Sequence, residues 1–215
     1  HYGVLFLDEF PEFRKDTLEA LRQPIEDGFV TITRASARST YPAQFMLVAA
    51  MNPCPCGNYG SRITPCRCTA QQIQRYRNRI SGPMLDRIDI HVEMGEVGYN
   101  DIAGRSCGEP SSAIRARVNA ARAIQTRRYA DMGILFNAQL TNRMMNQYCV
   151  LTSDAESLMK KAFAALKLSA RAYTRLLKVS RTIADLAGSE QIKAEHIAEA
   201  IQYRSLESKY WGEIK

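Results

Sequence analysis

The 215 residues contain no Gly-x-x-x-x-Gly-Lys-Ser/Thr string, so the chain carries no glycine-rich phosphate cradle of that kind. No apolar run approaches the ~20 residues of a membrane span, and no stretch of these residues reads as a secretory signal segment. Histidine and tryptophan are scarce, at three and one. His91 and His196 fall within an expected strand and helix and read as packing or surface residues rather than ligands. Cysteine is unevenly placed: Cys54, Cys56, Cys66 and Cys68 cluster, while Cys107 and Cys149 stand apart. That clustering argues for a metal site rather than a disulfide framework, and for a cytoplasmic setting.

What is there is ordinary in bulk and uneven in charge. Hydrophobic residues make up 46% and charged ones 24%, the composition of a soluble globular chain with core for one large or two small domains. Residues 1–108 carry 12 Lys/Arg and 12 Asp/Glu, whereas 109–215 carry 17 against 10. The whole net charge of +7 therefore lies in the second half, which suits a polyanionic partner or a set of solvated helix faces.

Val4-Leu5-Phe6-Leu7 is a short apolar run that reads as a fully buried strand of a parallel sheet. A helix is expected over Phe13–Gly28, with Pro24 in its last turn. Strand-like Phe29–Thr33 and Ser39–Tyr41 flank a small polar turn and read as a hairpin. Phe45–Ala50 is a second buried strand. Thr69 caps a polar helix running to about Ile80, and Ser81-Gly82-Pro83 breaks it. Ile88–Met94 alternates like a strand. The fold class is thus α/β followed by all-α, with helices near 112–130, 141–148, 153–166, 169–187 and 193–203. The expected domains are 1–98 with a cysteine-rich insert at 53–68, a linker at 99–112, a helical domain at 113–204 and a tail at 205–215. The chain opens without Met on a core strand, so it is expected to be the C-terminal part of a longer protein.

The first strand ends in Asp8-Glu9, and chemistry in open α/β sheets sits at the carboxyl ends of strands. This is the layout of a Walker B strand, with Asp8 on the Mg²⁺ side and Glu9 polarising an attacking water. Adjacent acids also suit the start of a helix. Asn52 closes the second core strand, where a carboxamide can hold that water, although Asn before Pro also starts turns. Arg87 follows Leu85-Asp86 at a helix-to-strand junction, from which a guanidinium can reach a neighbour's phosphates or simply pair with Asp86 or Asp89.

Together these features resemble an AAA+ ATPase: strand-Asp-Glu, hairpin, strand-Asn, Leu-Asp-Arg, then a helical domain containing Ser169-Ala170-Arg171. A hairpin just ahead of the Asn strand marks the clade of magnesium chelatase and the minichromosome-maintenance helicases. Asn52-Pro-Cys-Pro-Cys-Gly57, Tyr76-Arg-Asn-Arg-Ile-Ser-Gly-Pro-Met-Leu-Asp-Arg-Ile-Asp89 and Leu168–Gly188 resemble the bacterial magnesium-chelatase-like proteins of the ComM/YifB type. The resemblance implies a partial P-loop NTPase core with a pre-sensor hairpin and a helical lid. It implies ATP and Mg²⁺ as cofactors, Asp8 and Glu9 as Walker B, Asn52 as sensor 1, Arg87 as arginine finger and Arg171 as a nucleotide-contacting sensor 2. It further implies an upstream Walker A segment, a ring-forming homo-oligomer of hexameric type, and DNA branch migration in competent bacteria. A magnesium chelatase motor for porphyrin metallation, and an inert oligomerisation module lacking Walker A, are the alternatives.

Two Cys-x-Cys pairs nine residues apart, Cys54/Cys56 and Cys66/Cys68, can close a tetrahedral Zn²⁺ site. An Fe–S cluster fits the soft ligands less well, and four reduced thiols on a loop are the bland alternative. Arg34 and Arg38 flank the hairpin tip, where cations either contact a phosphate backbone or are solvated. Arg115, Arg117, Arg122, Arg127 and Arg128 spread around several faces of one helix and read as solvated.

Overall fold

The two apolar runs pair with each other. In the computed structural model, which describes residues 1–34, 37–96, 108–166 and 168–211, β1 (Gly3–Leu7) and β4 (Phe45–Ala49) form a parallel pair with Leu7 opposite Ala49. Only one face is covered. Leu5, Leu7 and Leu47 are half-buried, whereas Val4, Phe6, Met46 and Val48 are exposed. Full burial of β1 was expected from its unbroken apolar run, but no element among the described residues packs on that second face.

Between these strands lie two short helices and a ribbon. The expected helix over Phe13–Gly28 is instead split into α1 (Lys15–Ala20) and α2 (Arg22–Asp27). Pro24 explains the break: it lacks an N–H, and its ring crowds the carbonyl one turn earlier. Gly28 ends α2 at φ +73, a conformation that favours glycine, and a Cβ there would stand 3.0 Å from Gln44 Cγ, which would have to give by a few tenths of an ångström. β2 (Phe29–Arg34) and β3 (Ala37–Pro42) form an antiparallel ribbon, with Thr31 and Thr40 hydroxyls 3.1 Å apart across it.

After β4, a long loop leads to α3 (Ala70–Arg77) and α4 (Gly82–Leu85). Thr69 accepts from the Gln72 N–H and Gln72 reaches back to the Thr69 N–H, a complete capping box. Ser81 caps α4 through the Met84 N–H. A small core of Phe10, Leu18, Ile80, Met84 and Leu85 sits beneath, with Leu7, Leu47 and Met51 against it. Ile88–Met94 forms no strand. Its alternation is present, with Ile90, Val92 and Met94 exposed, but no described strand pairs with it, and a strand exists only through a partner's ladder.

The chain divides into two compact units, the first over His1–Ile88 together with the stretch from Leu206, and the second over Asp89–Ser205. The second contains α5 (Ser111–Arg128), α6 (Asn142–Tyr148), α7 (Ser153–Ala165), α8 (Ala170–Leu186) and the start of α9 (Ala194–Trp211). Thr141, Thr152 and Ser169 each accept an N–H from three residues on, capping α6, α7 and α8. α9 continues past the expected end near Tyr203. Most of the expected linker, 99–112, lies outside the described residues, as do Cys107 and the hairpin tip at Ala35 and Ser36. No helix among the described residues is long and apolar enough to cross a membrane.

Candidate functional site

The register of β1 on β4 brings the chemistry-bearing residues to one edge. The Ala50 N–H donates to Leu7 O at 2.9 Å, and the Phe10 N–H donates to Ala50 O at 2.9 Å. Asp8 and Glu9 leave the end of β1 between those two bonds, and Asn52 leaves the end of β4 beside them. All three side chains are exposed. Glu9 lies in the left-handed region, φ 50 and ψ 43, and its N–H donates to Asp8 Oδ1 at 2.9 Å. Buried Phe10 follows immediately and anchors the turn in the core. The edge therefore presents two carboxylates and a carboxamide on a fixed backbone, a set suited to holding a cation and a water.

Asn52 is steadied from behind. Its backbone hydrogen-bonds the Tyr76 hydroxyl, and burial pushes that phenol's pKa up. Arg77 Nε donates to Pro53 O at 3.2 Å, and its guanidinium lies 4.6 Å over the Tyr59 ring. Arg77 is 1% exposed. The sequence reading passed over it, although Ile73, Tyr76, Arg77 and Ile80 fall on one helical stripe. A charged residue on an apolar stripe is the signal that was available.

The loop after Asn52 gathers four sulfurs. Cys54-Pro55-Cys56-Gly57 is a turn closed by the Gly57 N–H on Cys54 O, with Gly57 at φ +79. Cys54 is fully buried, and its sulfur lies close to those of Cys56, Cys66 and Cys68. Backbone hydrogen bonds from Asn58 and Arg67 pull the Cys56 thiol down to about 6. Desolvation and the neighbouring sulfurs push Cys68 up to about 12.

Arg87 does not project from the domain. It is 9% exposed, donates to Pro83 O at 2.6 Å and pairs with Glu26 on α2, while Asp89 pairs with Arg175. Arg34 and Arg38 are exposed, but the pairing sets Arg34 opposite Ala37 and Arg38 opposite Thr33. Directly paired residues share a face and successive ones alternate, so the two cations lie on opposite faces of the ribbon.

In the second unit, Arg171 sits exposed in the first turn of α8, just beyond the Ser169 cap. The buried face of α8 holds an ionic network that the sequence reading missed. Asp185 accepts from Arg128 at 2.6 and 2.9 Å, from Arg181 Nε at 3.1 Å and from Asn137 Nδ2 at 2.8 Å. Arg181 also reaches the carbonyls of Ser189 and Glu190. Arg128 was expected to be solvated. It is drawn in because Asp185 is wholly buried and requires countercharge. Arg117 pairs with Glu109, and Arg122 stacks on Phe136.

Residues 1–102 match the family described as magnesium chelatase, subunit ChlI, and residues 108–204 match its ChlI C-terminal family. YifB of Salmonella typhimurium is 45% identical over 96% of this chain and 40% of its own length. The competence protein ComM of Haemophilus influenzae is 46% identical over 95% of this chain and 39% of its own. The chain belongs to the magnesium-chelatase-like proteins of the ComM/YifB type. It spans about 40% of the length of these curated relatives. More distantly, the zygotic DNA replication licensing factor mcm6-A of Xenopus laevis is 23% identical over 93% of the chain and 24% of its own length. These relations make the chain part of an AAA+ family protein, and its small parallel sheet with many helices is consistent with a partial AAA+ domain.

Proposed function

We propose that the full-length protein is an ATP-hydrolysing AAA+ ring, hexameric in form, that drives branch migration of DNA during recombination in competent cells. The observation that carries this reading is the meeting of Asp8, Glu9 and Asn52 at one edge of β1 and β4. Asp8 keeps one carboxylate oxygen on the Glu9 N–H and has the other for a hydrated Mg²⁺. When bound with ATP, that ion neutralises phosphate charge. Glu9 takes a proton from the attacking water, and the Asn52 carboxamide fixes where that water stands. Arg87 serves the site of a neighbouring subunit, and Arg171 contacts the bound nucleotide from the helical lid. Arg34 and Arg38, one on each face of the ribbon, touch phosphates without reading sequence.

A second reading, ATP-driven Mg²⁺ insertion into a porphyrin, has the matched family's description in its favour. One experiment separates them. ATP turnover by the full-length protein is measured alone, with branched DNA, and with porphyrin plus Mg²⁺. Stimulation by branched DNA with strand exchange is expected. Turnover indifferent to DNA but coupled to metallation replaces the DNA reading with the chelatase one.

A further inference from the structure

The four sulfurs after Asn52 have a definite geometry. Cys54 Sγ lies 3.4 Å from Cys56 Sγ and 3.7 Å from Cys66 Sγ, and Cys56 to Cys66 is 3.6 Å. Cys68 completes the set, with all four sulfurs within 4.8 Å of one another. Sulfurs bound at roughly 2.3 Å around a tetrahedral ion stand about 3.8 Å apart. These three edges fall within a few tenths of an ångström of that value. A [4Fe–4S] cluster places each cysteine on a different iron and so spreads the sulfurs wider than this set. The ligands are all soft thiols, the set that Zn²⁺ takes in closed sites.

We propose that Cys54, Cys56, Cys66 and Cys68 bind one Zn²⁺ in a closed structural site, and that this ion fixes the loop that begins at Asn52. Each thiol gives its proton to solvent as its sulfur bonds the ion, leaving a complex of charge −2. The surroundings suit that charge. Asn58 and Arg67 backbone groups hydrogen-bond Cys56, Arg62 and Arg67 lie in the same loop, and Arg77 stacks on its Tyr59. Four ligands leave no open position, so the ion builds structure and activates no water.

Its position gives the site a consequence. Cys54 is two residues beyond Asn52, and Cys68 directly precedes the Thr69 cap of α3. That helix then returns Tyr76 to the Asn52 backbone and Arg77 to Pro53. The ion and α3 together close the segment at both ends. Beyond the Arg77 contacts to Pro53 O and the Tyr59 ring, the loop is built of turns, those closed by the Gly57 and Ser61 N–H among them, so an ion joining its two ends would be its main internal crosslink.

The first test needs no variant and no activity. Full-length protein purified without added metal, chelator or oxidant is examined by elemental analysis and X-ray absorption. About one zinc per chain, with four sulfur neighbours near 2.3 Å, is expected. Less than about a tenth of a zinc per chain, iron in its place, or a shell of nitrogen and oxygen overturns the proposal. Next, Cys66→Ser should lower zinc content about tenfold or more, whereas Cys149→Ala, outside the cluster, should leave it unchanged. Equal loss in both variants overturns the ligand assignment. Finally, Arg62 and Arg67 are exposed tryptic sites within the loop. Chelation should speed cleavage there about tenfold before other sites open. Unchanged cleavage of metal-stripped protein refutes the claim that the ion shapes the loop.

Discussion

At residue scale, Glu9 is the position where backbone and chemistry bear on each other. Its left-handed conformation costs a side-chain-bearing residue about 1–2 kcal/mol, and it persists because Phe10 is locked in the core and the Glu9 N–H is tied to Asp8. That backbone sets the carboxylate at the sheet edge instead of in the next helix. Glu9→Gln keeps the size and hydrogen-bonding reach of the side chain and removes its basicity. In the full-length protein, ATP turnover is expected to fall by about 10²–10⁴-fold, with nucleotide affinity changed little. Steady-state hydrolysis beside a fluorescent-nucleotide titration checks both halves, and near-normal turnover would remove Glu9 from the chemistry. Asp8, Glu9 and Asn52 were legible as candidates because each ends or follows an apolar run. Arg77 and Asp185 were not, because a buried ion and a surface ion look alike until their partners are known. Arg77 is paired with residues 18 and 24 positions away in the chain, and no local pattern announces that.

At the scale of elements, the helical unit was the most readable part of the molecule. Its helices begin at Thr141, Thr152 and Ser169, whose side chains cap within three residues, and local signals of that kind survive in sequence. The Ile88–Met94 segment was misread because strand formation is decided by a distant partner. α9 adds a pH-sensitive start. Its third residue, His196, is 3% exposed, and its Nδ1 accepts the Lys193 N–H at 3.0 Å, the backward half of a capping box. That bond needs the neutral ring. Desolvation, ahead of the opposing pull of Glu195, holds the His196 pKa below its ordinary value. The unfolded chain therefore takes a proton near pH 6.5 that the folded one refuses until lower pH. Stability conferred by the neutral ring is complete above about pH 6.5 and declines as pH falls, by at most ~1.4 kcal/mol per unit. Urea unfolding of the chain between pH 7.5 and 5.5 should show the decline. His196→Gln retains an acceptor for the Lys193 N–H and does not titrate, so its profile should be flatter over that window. Parallel profiles would exclude His196 as the source.

At the scale of the assembled molecule, the placement of Arg87 sets the sharpest demand on the ring mechanism. Within one chain its guanidinium is turned onto Glu26 and Pro83 O, so service to a neighbouring site requires a phosphate to take the place that Glu26 now holds. Both are anions facing one guanidinium, and the exchange swaps one charge-assisted pair for another. Glu26 is 37% exposed in its side chain, so Arg87→Ala leaves behind a carboxylate that water can reach. The fold should survive that loss at a cost of about 2–3 kcal/mol, between that of an exposed pair and that of a fully buried one, which a thermal melt would verify. On the proposed mechanism an all-Arg87→Ala ring is inactive, and so is an all-Glu9→Gln ring. Mixed, they create interfaces at which a Glu9→Gln subunit supplies an intact Arg87 to a site with an intact Glu9. ATP turnover should then rise above that of either parent and pass through a maximum near equal mixing. If the two variants co-assemble, as crosslinking would establish, and no ratio restores turnover, Arg87 acts within its own chain. Its role would then be to hold α2 to α4 through Glu26, and the contact completing each active site would have to come from another residue.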